Sequence, residues 1–326
     1  MDRRDFLKRA GAAGGAALLS NLLPGGVVQA AEKSDRTGIA DPLLAGVCDL
    51  HIHATPDTKE RTVNELELCR RAQTAGYRAV LFKSNIWSCQ DRAYLLQEAV
   101  PGFGCFGSLV MNLAFGEKVN VYAAEQALKT TGNLCRCIWM PTQNAVYPPT
   151  AESGHQGQTI PVVDHTGHLL PEVVRVMEFC AETDIIFATG HSSPEESLAM
   201  ARKAKEVGVR KFVITHANSR IWRLTHDQIR QAVDAGAWIE YCYLPRLWGP
   251  GSGIPNFERQ PVEEFINYVR LAPERSFVST DLGSAGMPEP IEGMRRCIEE
   301  MTVSGVTQRE IDLQVRVNPA KLLGLE

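Results

Sequence analysis

The chain has 326 residues, 44% hydrophobic and 22% charged, with a formal net charge of −4 at pH 7. That balance is ordinary for a globular protein, and the absence of a dense Lys/Arg stripe excludes nucleic acid as the expected partner. The length allows two domains of about 150 residues, or a single α/β barrel, which commonly uses this many residues.

In chain order, the first segment is Asp2-Arg3-Arg4-Asp5-Phe6-Leu7-Lys8, followed by a weakly apolar Ala/Gly-rich stretch from Ala10 to Leu23. Small residues at Val28-Gln29-Ala30 offer a cleavage site before Ala31. The run resembles a twin-arginine export signal, with paired arginines, Phe and Lys at the expected offsets. An Asp precedes the arginines where Ser or Thr is commoner. The resemblance implies that residues 1–30 are a removable signal and that the twin-arginine translocation machinery is a partner. It also implies that the folded chain, cofactor included, reaches the periplasm or the exterior. An ordinary basic amphipathic start is the alternative. Removing four basic and two acidic residues with the first thirty takes the net charge from −4 to −6. No other stretch is long and apolar enough to span a bilayer, so no membrane span is expected in the mature chain.

A polar linker is expected over 31–46 and one barrel domain over 47–326. From Val47 onward, short and nearly continuous apolar runs alternate with amphipathic stretches, as buried parallel strands alternate with helices. The strands are expected at Val47–His53, Ala79–Asn85, Gly104–Asn112, Cys135–Thr142, Ile185–His191, Lys211–His216, Ala237–Tyr243 and Ser276–Leu282. Helices are expected at Val63–Ala75 with a Gly76 stop, Ala123–Lys129, Pro171 to about Ala181, and Pro194–Val207 with a Gly208 stop. Two more are Thr225–Ala235 and Val262–Val269, with a last helical stretch before the tail. Eight strands alternating with helices predict a (β/α)8 TIM barrel. An open doubly wound sheet is disfavoured because no Gly-rich phosphate loop follows the first strand. Two long connections, Gln143–Leu170 and Pro245–Gln260, follow strand C-terminal ends and are expected to serve as lid or substrate loops. The nine cysteines are scattered, several in apolar runs (Cys48, Cys105, Cys137, Cys242), and read as buried thiols rather than a disulfide framework. No CxxC pair occurs to bind zinc.

Polar residues interrupt the ends of these apolar runs. In Val47-Cys48-Asp49-Leu50-His51-Ile52-His53, the two histidines are two apart, so a strand aims both the same way. Two convergent imidazoles make half of a tetrahedral metal site, or else a hydrogen-bonded pair. Further along, Lys83, His191, His216 and Asp281 end the second, fifth, sixth and eighth runs. In a barrel all of these meet at one mouth, and burying them together in an apolar cavity is expensive without an ion.

This arrangement resembles the amidohydrolase superfamily of metal-dependent TIM-barrel hydrolases: an HxH on strand one, single histidines on strands five and six, and an aspartate on strand eight. The closing run Asn318-Pro319-Ala320-Lys321-Leu322-Leu323-Gly324-Leu325 is similar to that superfamily's ending, and the resemblance covers about Gly46 to Glu326. It implies His51, His53 and Asp281 as ligands of the more buried divalent ion, with Asp281 also moving the proton of the attacking water. His191 and His216 would hold a second ion, or one would bind the single ion while the other touches substrate. Zinc is the first candidate, with Mn2+, Fe2+ or Ni2+ as alternatives. The fourth run departs from the two-metal pattern: Ile138-Trp139-Met140-Pro141-Thr142 carries neither lysine nor glutamate. Lys83 is then the substitute, either carboxylated as a metal bridge or cationic and holding a substrate carboxylate or oxyanion. A structural ion pair with Glu240 is the third option.

His155, His165 and His168 read as a solvated loop cluster with possible reach to the site, and His226 as a helix cap or surface residue. Asn112, Thr142 and Asn218 are candidates to line the pocket, as are Trp87, Trp222 and Trp248. The leading function is an exported metal-dependent hydrolase acting on an amide, lactone or ester of a small molecule. The alternatives are a metal-dependent decarboxylase or hydro-lyase of a small carboxylic acid, and a non-catalytic binding protein anchored by its metal. A histidinol-phosphatase-like phosphoesterase would want Asp-x-His where Asp281-Leu282-Gly283 stands.

Overall fold

A parallel strand inside an α/β protein is covered on both faces, so each unbroken apolar run can become one strand without polar alternation. The computed structural model describes residues 40–147 and 157–325. Eight strands follow the chain: β1 Cys48–Ile52, β2 Ala79–Phe82, β3 Gly104–Val110, β4 Cys135–Trp139, β5 Ile186–Ala188, β6 Phe212–Ile214, β7 Trp238–Cys242 and β8 Ser276–Ser279. Each pairs in parallel with the next, in the order β1 to β8. The ring closes by backbone hydrogen bonds in which Asp281 N donates to His51 O and His53 N to Leu282 O, both 2.8 Å. The protein is the (β/α)8 barrel that the alternation of elements predicts.

One main helix follows each strand: α1 Glu65–Ala75, α2 Gln90–Ala99, α3 Val121–Lys129, α4 Pro171–Thr183, α5 Pro194–Val207, α6 His226–Asp234, α7 Val262–Leu271 and α8 Pro290–Val303. Their ends obey local chemistry. Asn64 caps α1 by accepting from Glu67 N, and Gly76 ends it in the left-handed region at φ 92°. Ser193 and Glu196 form a capping box on α5, and Thr225 and Gln228 form one on α6. Helix α2 has no counterpart in the sequence reading. Its N-cap, Cys89, makes no side-chain cap bond, and only Gln90, Ala93 and Leu96 are buried while Leu95 is exposed, so its apolar face is blurred. The final helices are α9, Gln308–Asp312, and α10, Asn318–Leu323. Helix α10 closes the N-terminal end of the barrel: Asn318 Nδ2 donates to Ser276 O (2.7 Å), and Leu322 and Leu323 pack with Cys48 and Leu50. Leu44, ahead of β1, is fully buried, and Asp41 N donates to Ala75 O.

A β-bulge positions the site. Asp49 pairs with Val80 and Ile52 with Phe82, so β1 carries one extra residue between these pairs. Leu50 packs with Ala79, Leu81 and Trp139 in the barrel interior, whereas Ile52 packs outward with Val80 and Phe82. The extra residue lets His51 face inward although Asp49, two positions earlier, does not.

The strands stop one to three residues earlier than the apolar runs suggest. Lys83, His191, His216 and Asp281 therefore stand just past the strand ends rather than in them. For the last three the cause is backbone geometry: Gly190, His216 and Asp281 have φ of 62°, 57° and 54°, incompatible with a strand. For His216 and Asp281 this left-handed backbone carries a cost of order 1–3 kcal/mol each, a strain found mostly at functional sites. At Gly190 a Cβ would also overlap the carbonyl oxygens of Met140 and Pro141. Gly190→Ala is expected to destabilise the fold by about 2–4 kcal/mol, measured by chemical denaturation.

Candidate metal centre

Four buried side chains form the centre. His51 Nε2 and His53 Nε2 lie 3.0 and 3.1 Å from the same oxygen, Asp281 Oδ1. His51 is 0% exposed, His53 4% and Asp281 9%. Behind them, His51 Nδ1 is 2.9 Å from Glu240 Oε1, which also accepts from Ser279 Oγ at 2.7 Å. A carboxylate on the rear nitrogen fixes the tautomer that leaves Nε2 as a ligand and raises its basicity. His216 Nδ1 stands 3.7 Å from Asp281 Oδ2, so the two carboxylate oxygens have different duties.

The closing strand is held in register by another buried acid. Asp49 accepts from Thr280 Oγ1, from Thr280 N (3.1 Å) and from His51 N (3.2 Å). Burial pushes its carboxyl up to about 6 in spite of these bonds.

The donor set fits a divalent ion. His51 Nε2 is buried and makes no hydrogen bond, although Asp281 Oδ1 is 3.0 Å away. The ligand atoms of His51, His53 and Asp281 all lie within 4.8 Å of one another. Bonds of 2.0–2.1 Å in a tetrahedron set ligand atoms about 3.3 Å apart, near the observed 3.0 and 3.1 Å. Arg61 Nη2 is 3.4 Å from His53 Nδ1, a long contact. Arg61 makes its closer bonds to Asp57 Oδ2 (2.7 Å) and Ser284 Oγ (3.1 Å).

Electrostatics agree with this assignment. Burial holds His53 down to about 3 and His216 to about 4, so both are neutral and able to ligate or accept. For His51, burial works against protonation, but the carboxylates of Asp281 and Glu240 prevail and raise it to about 9. Burial likewise opposes ionisation of Asp281, yet the His51 and His216 imidazoles hold it well below the usual carboxylate range. Burial, with Arg61 adding to it, lowers the Lys83 ammonium against the opposing pull of the Asp281 and Glu240 carboxylates.

Other expected residues fall nearby or elsewhere. His191 stacks on Trp222 (4.1 Å between ring centroids) and lies 5.1 Å from the His216 ring. It is in none of the compact ligand groups among the described residues. Lys83 is 3% exposed, with Nζ 5.3 Å from the Trp139 ring centroid. The Lys83–Glu240 ion pair does not form, because Glu240 Oε1 faces His51 and Ser279 instead. Asn112 and Asn218 are fully buried ties between strand ends: Asn112 Nδ2 donates to Thr142 Oγ1 (2.9 Å) and Asn218 Nδ2 to Cys242 O (2.9 Å). His165 and His168 are exposed in a turn organised by Asp164, whereas His155 lies outside the described residues. His226 opens α6 and packs edge-on against Tyr268. Trp87 is 53% exposed, whereas Trp222 and Trp248 line the pocket.

Glu240 was legible only as a lone acid in the apolar run of β7. Cys242, two residues on, shares its face, with Sγ 3.5 Å from Ser279 Oγ and 4.0 Å from His51 Nδ1. Burial pushes this thiol well above its usual range, so it is a neutral wall of the site. All nine cysteines are free and buried.

Over the centre opens a pocket of ≈ 200 Å³ lined by His53, Lys83, His191, His216 and Asp281. A family model described as a family of unknown function (DUF6282) matches residues 46–240, more than half of the chain. The chain belongs to the DUF6282 family. The match spans His51, His53, Lys83, His191, His216 and Glu240, and Asp281 joins this DUF6282 member's site through barrel closure beyond it. No curated protein sequence matches the chain. Solved structures share its fold at low identity. An amidohydrolase from Pseudomonas aeruginosa is 10% identical, with TM-score 0.56 over 86% of this chain and 97% of that one. A dihydroorotase is 12% identical, with TM-score 0.55 over 86% and 70%. A 2,6-dihydroxybenzoate decarboxylase is 11% identical, with TM-score 0.52 over 86% and 100%. These similarities show a shared (β/α)8 barrel fold.

Two outcomes follow from the geometry. Glu240→Ala is expected to weaken metal binding about 10–100-fold in a competition titration with a chelator. Since His51 is protonated below about 9 without metal and must free Nε2 to ligate, metal uptake at pH 7 should release about one proton. Affinity should therefore rise with pH up to that value, as followed in weakly buffered solution with a pH indicator.

Proposed function

We propose that the protein is a metal-dependent hydrolase that cleaves an amide, lactone or ester of a small molecule with one divalent ion, zinc first among the candidates, held by His51, His53 and Asp281. The observation that carries this reading is the convergence of two imidazole nitrogens and one carboxylate oxygen on a buried point at the floor of a pocket. Bound there, a divalent ion supplies a Lewis acid and acidifies water towards a pKa of ~7.

The chain's own residues divide the remaining work. Asp281 Oδ1 faces the two histidines, while Oδ2 is turned towards His216. Ionised throughout the neutral range, Asp281 accepts the proton of the attacking water and returns it to the leaving group. His216, neutral and against Trp222, hydrogen-bonds the reacting group from the pocket wall. Lys83 faces the same space as a cation that steadies developing or resident negative charge.

A second reading, a decarboxylase or hydro-lyase of a small carboxylic acid, is favoured by Lys83 and by a β4 end, Met140-Pro141-Thr142, without a bridging ligand. Zinc-loaded protein tested on amides, lactones, esters and aromatic acids separates the readings, carbon dioxide release marking the second. Turnover is expected to vanish on chelation and return with metal. An intact metal site with no turnover would instead favour a binding protein. Asp281→Asn is expected to retain metal by elemental analysis while losing about 10²–10⁴ in kcat; a near-normal rate would remove the base role. Lys83→Arg keeps a cation but cannot be carboxylated. Retained activity there, with indifference to bicarbonate, supports an ammonium over a metal bridge.

The sequence Arg3-Arg4-Asp5-Phe6-Leu7-Lys8, outside the described residues, supports export through the twin-arginine machinery. Among the described residues no helix is long and apolar enough to cross a membrane. Replacing Arg3 and Arg4 with Lys is expected to abolish appearance of the chain in the periplasmic fraction.

A further inference from the structure

The pocket is lined by side chains of two chemical kinds. Lys59, Arg61 and Lys83 are cationic, and Trp222, Trp248, Ile254 and Phe257 are apolar. The apolar wall comes largely from the connection after β7, where Trp248 and Phe257 pack with ring centroids 5.0 Å apart.

The cations differ in what they already serve. Arg61 is neutralised by Asp57 at 2.7 Å, with both side chains 1% exposed. Lys59 is exposed and reaches Gln143 Oε1 at 3.4 Å. Lys83 is more than nine-tenths buried and lines the pocket, and its ammonium, 5.3 Å from the Trp139 ring centroid, makes no hydrogen bond or ion pair among the described residues. The carboxylates around it have other partners: Asp57 has Arg61, Glu240 Oε1 has His51 and Ser279, and Asp281 has the histidines. Three cations and three carboxylates balance, so a divalent ion leaves the region net positive. A buried, unpaired ammonium is costly, and an anionic ligand removes that cost.

Size limits the ligand's body. A cavity of about 150 Å³ in another protein holds benzene. A space of ≈ 200 Å³ therefore takes one ring with a small substituent.

We propose that this pocket selects a single-ring carboxylate, with the carboxylate received by Lys83 and the ring lying against Trp222, Trp248 and Phe257. This rests on the metal-dependent reading of the same site, and it names the substrate class for that reading. A ring brings apolar area to the indole wall, and removing that area from water favours binding. The carboxylate brings a charge-assisted bond to Lys83 that a neutral isostere cannot make.

The test uses zinc-loaded protein and three probes, benzoate, benzamide and acetate, with binding followed by tryptophan fluorescence or calorimetry. Benzoate is expected to bind about tenfold or more tightly than either of the others. Lys83→Met should weaken benzoate about 10–100-fold and leave benzamide unchanged, while Lys83→Arg recovers part of the loss. Trp248→Ala should weaken benzoate and leave acetate unchanged, which keeps the ring assignment testable if a Lys83 variant fails to fold. Benzamide binding as tightly as benzoate, or benzoate binding that depends on zinc but not on Lys83, would overturn the carboxylate assignment. Acetate binding as tightly as benzoate would overturn the ring. Zinc content, measured separately on each variant, reports on the metal reading alone. Lys83-dependent benzoate binding without stoichiometric zinc would sink that reading and leave the pocket's selectivity standing.

Discussion

The seam between β1 and β8 is the constraint on which the site depends. Two backbone hydrogen bonds, Asp281 N to His51 O and His53 N to Leu282 O, set Asp281 between the two histidines of the opening strand. A one-residue slip along this seam would move every side chain on it to the other face. Asp49 guards the register by accepting both Thr280 N and Thr280 Oγ1 from inside the barrel wall. The metal centre and the closure of the fold are therefore one structure: whatever holds the barrel shut also aims the ligands.

The seam carries a heavy electrostatic load. Asp49 and Glu240 are fully buried and Asp281 nearly so, in a setting where an unpaired carboxylate would be untenable. Asp49 is held by hydroxyl and amide donors, Glu240 by His51 and Ser279, and Asp281 by imidazoles. The imidazoles of His51 and His53 face a shared oxygen, a geometry that a cation satisfies better than a proton does. The backbone strain at His216 and Asp281 sits where strand gives way to loop, which lets their side chains turn inward at the barrel mouth. Stability is concentrated in the interior and outer packing layers, while the C-terminal face carries the polar groups, as barrel enzymes divide these tasks.

Much of the pocket lining comes from outside the strands. The connection after β7 supplies Trp248, Ile254 and Phe257, and the one after β4 supplies Gln143. They share the pocket lining with Lys83, whose ammonium forms no ion pair among the described residues. A fold shared at 10–12% identity with an amidohydrolase, a dihydroorotase and a decarboxylase is a scaffold for several chemistries.

By itself, the sequence determined the barrel and the residues that would meet at its mouth. Unbroken apolar runs separated by capped amphipathic helices admit few other arrangements, and polar residues ending such runs are too costly to bury without purpose. It could not determine the pairings that depend on which strands become neighbours across the ring. Glu240, the third option considered for Lys83, turns to His51 because β7 and β1 flank β8 in the closed ring, although the two residues are 189 positions apart in sequence. Helix α2 leaves little amphipathic signal in the sequence because only three of its residues are buried. The bulge in β1 is equally invisible in the chain, since strict alternation would give Asp49 and His51 the same face. Only the register of β1 against β2 inserts the extra residue that turns His51 inward. Local chemistry decides which residues are willing to form a strand or a site, but orientation is set by neighbours far away in sequence, and those exist only in the folded barrel.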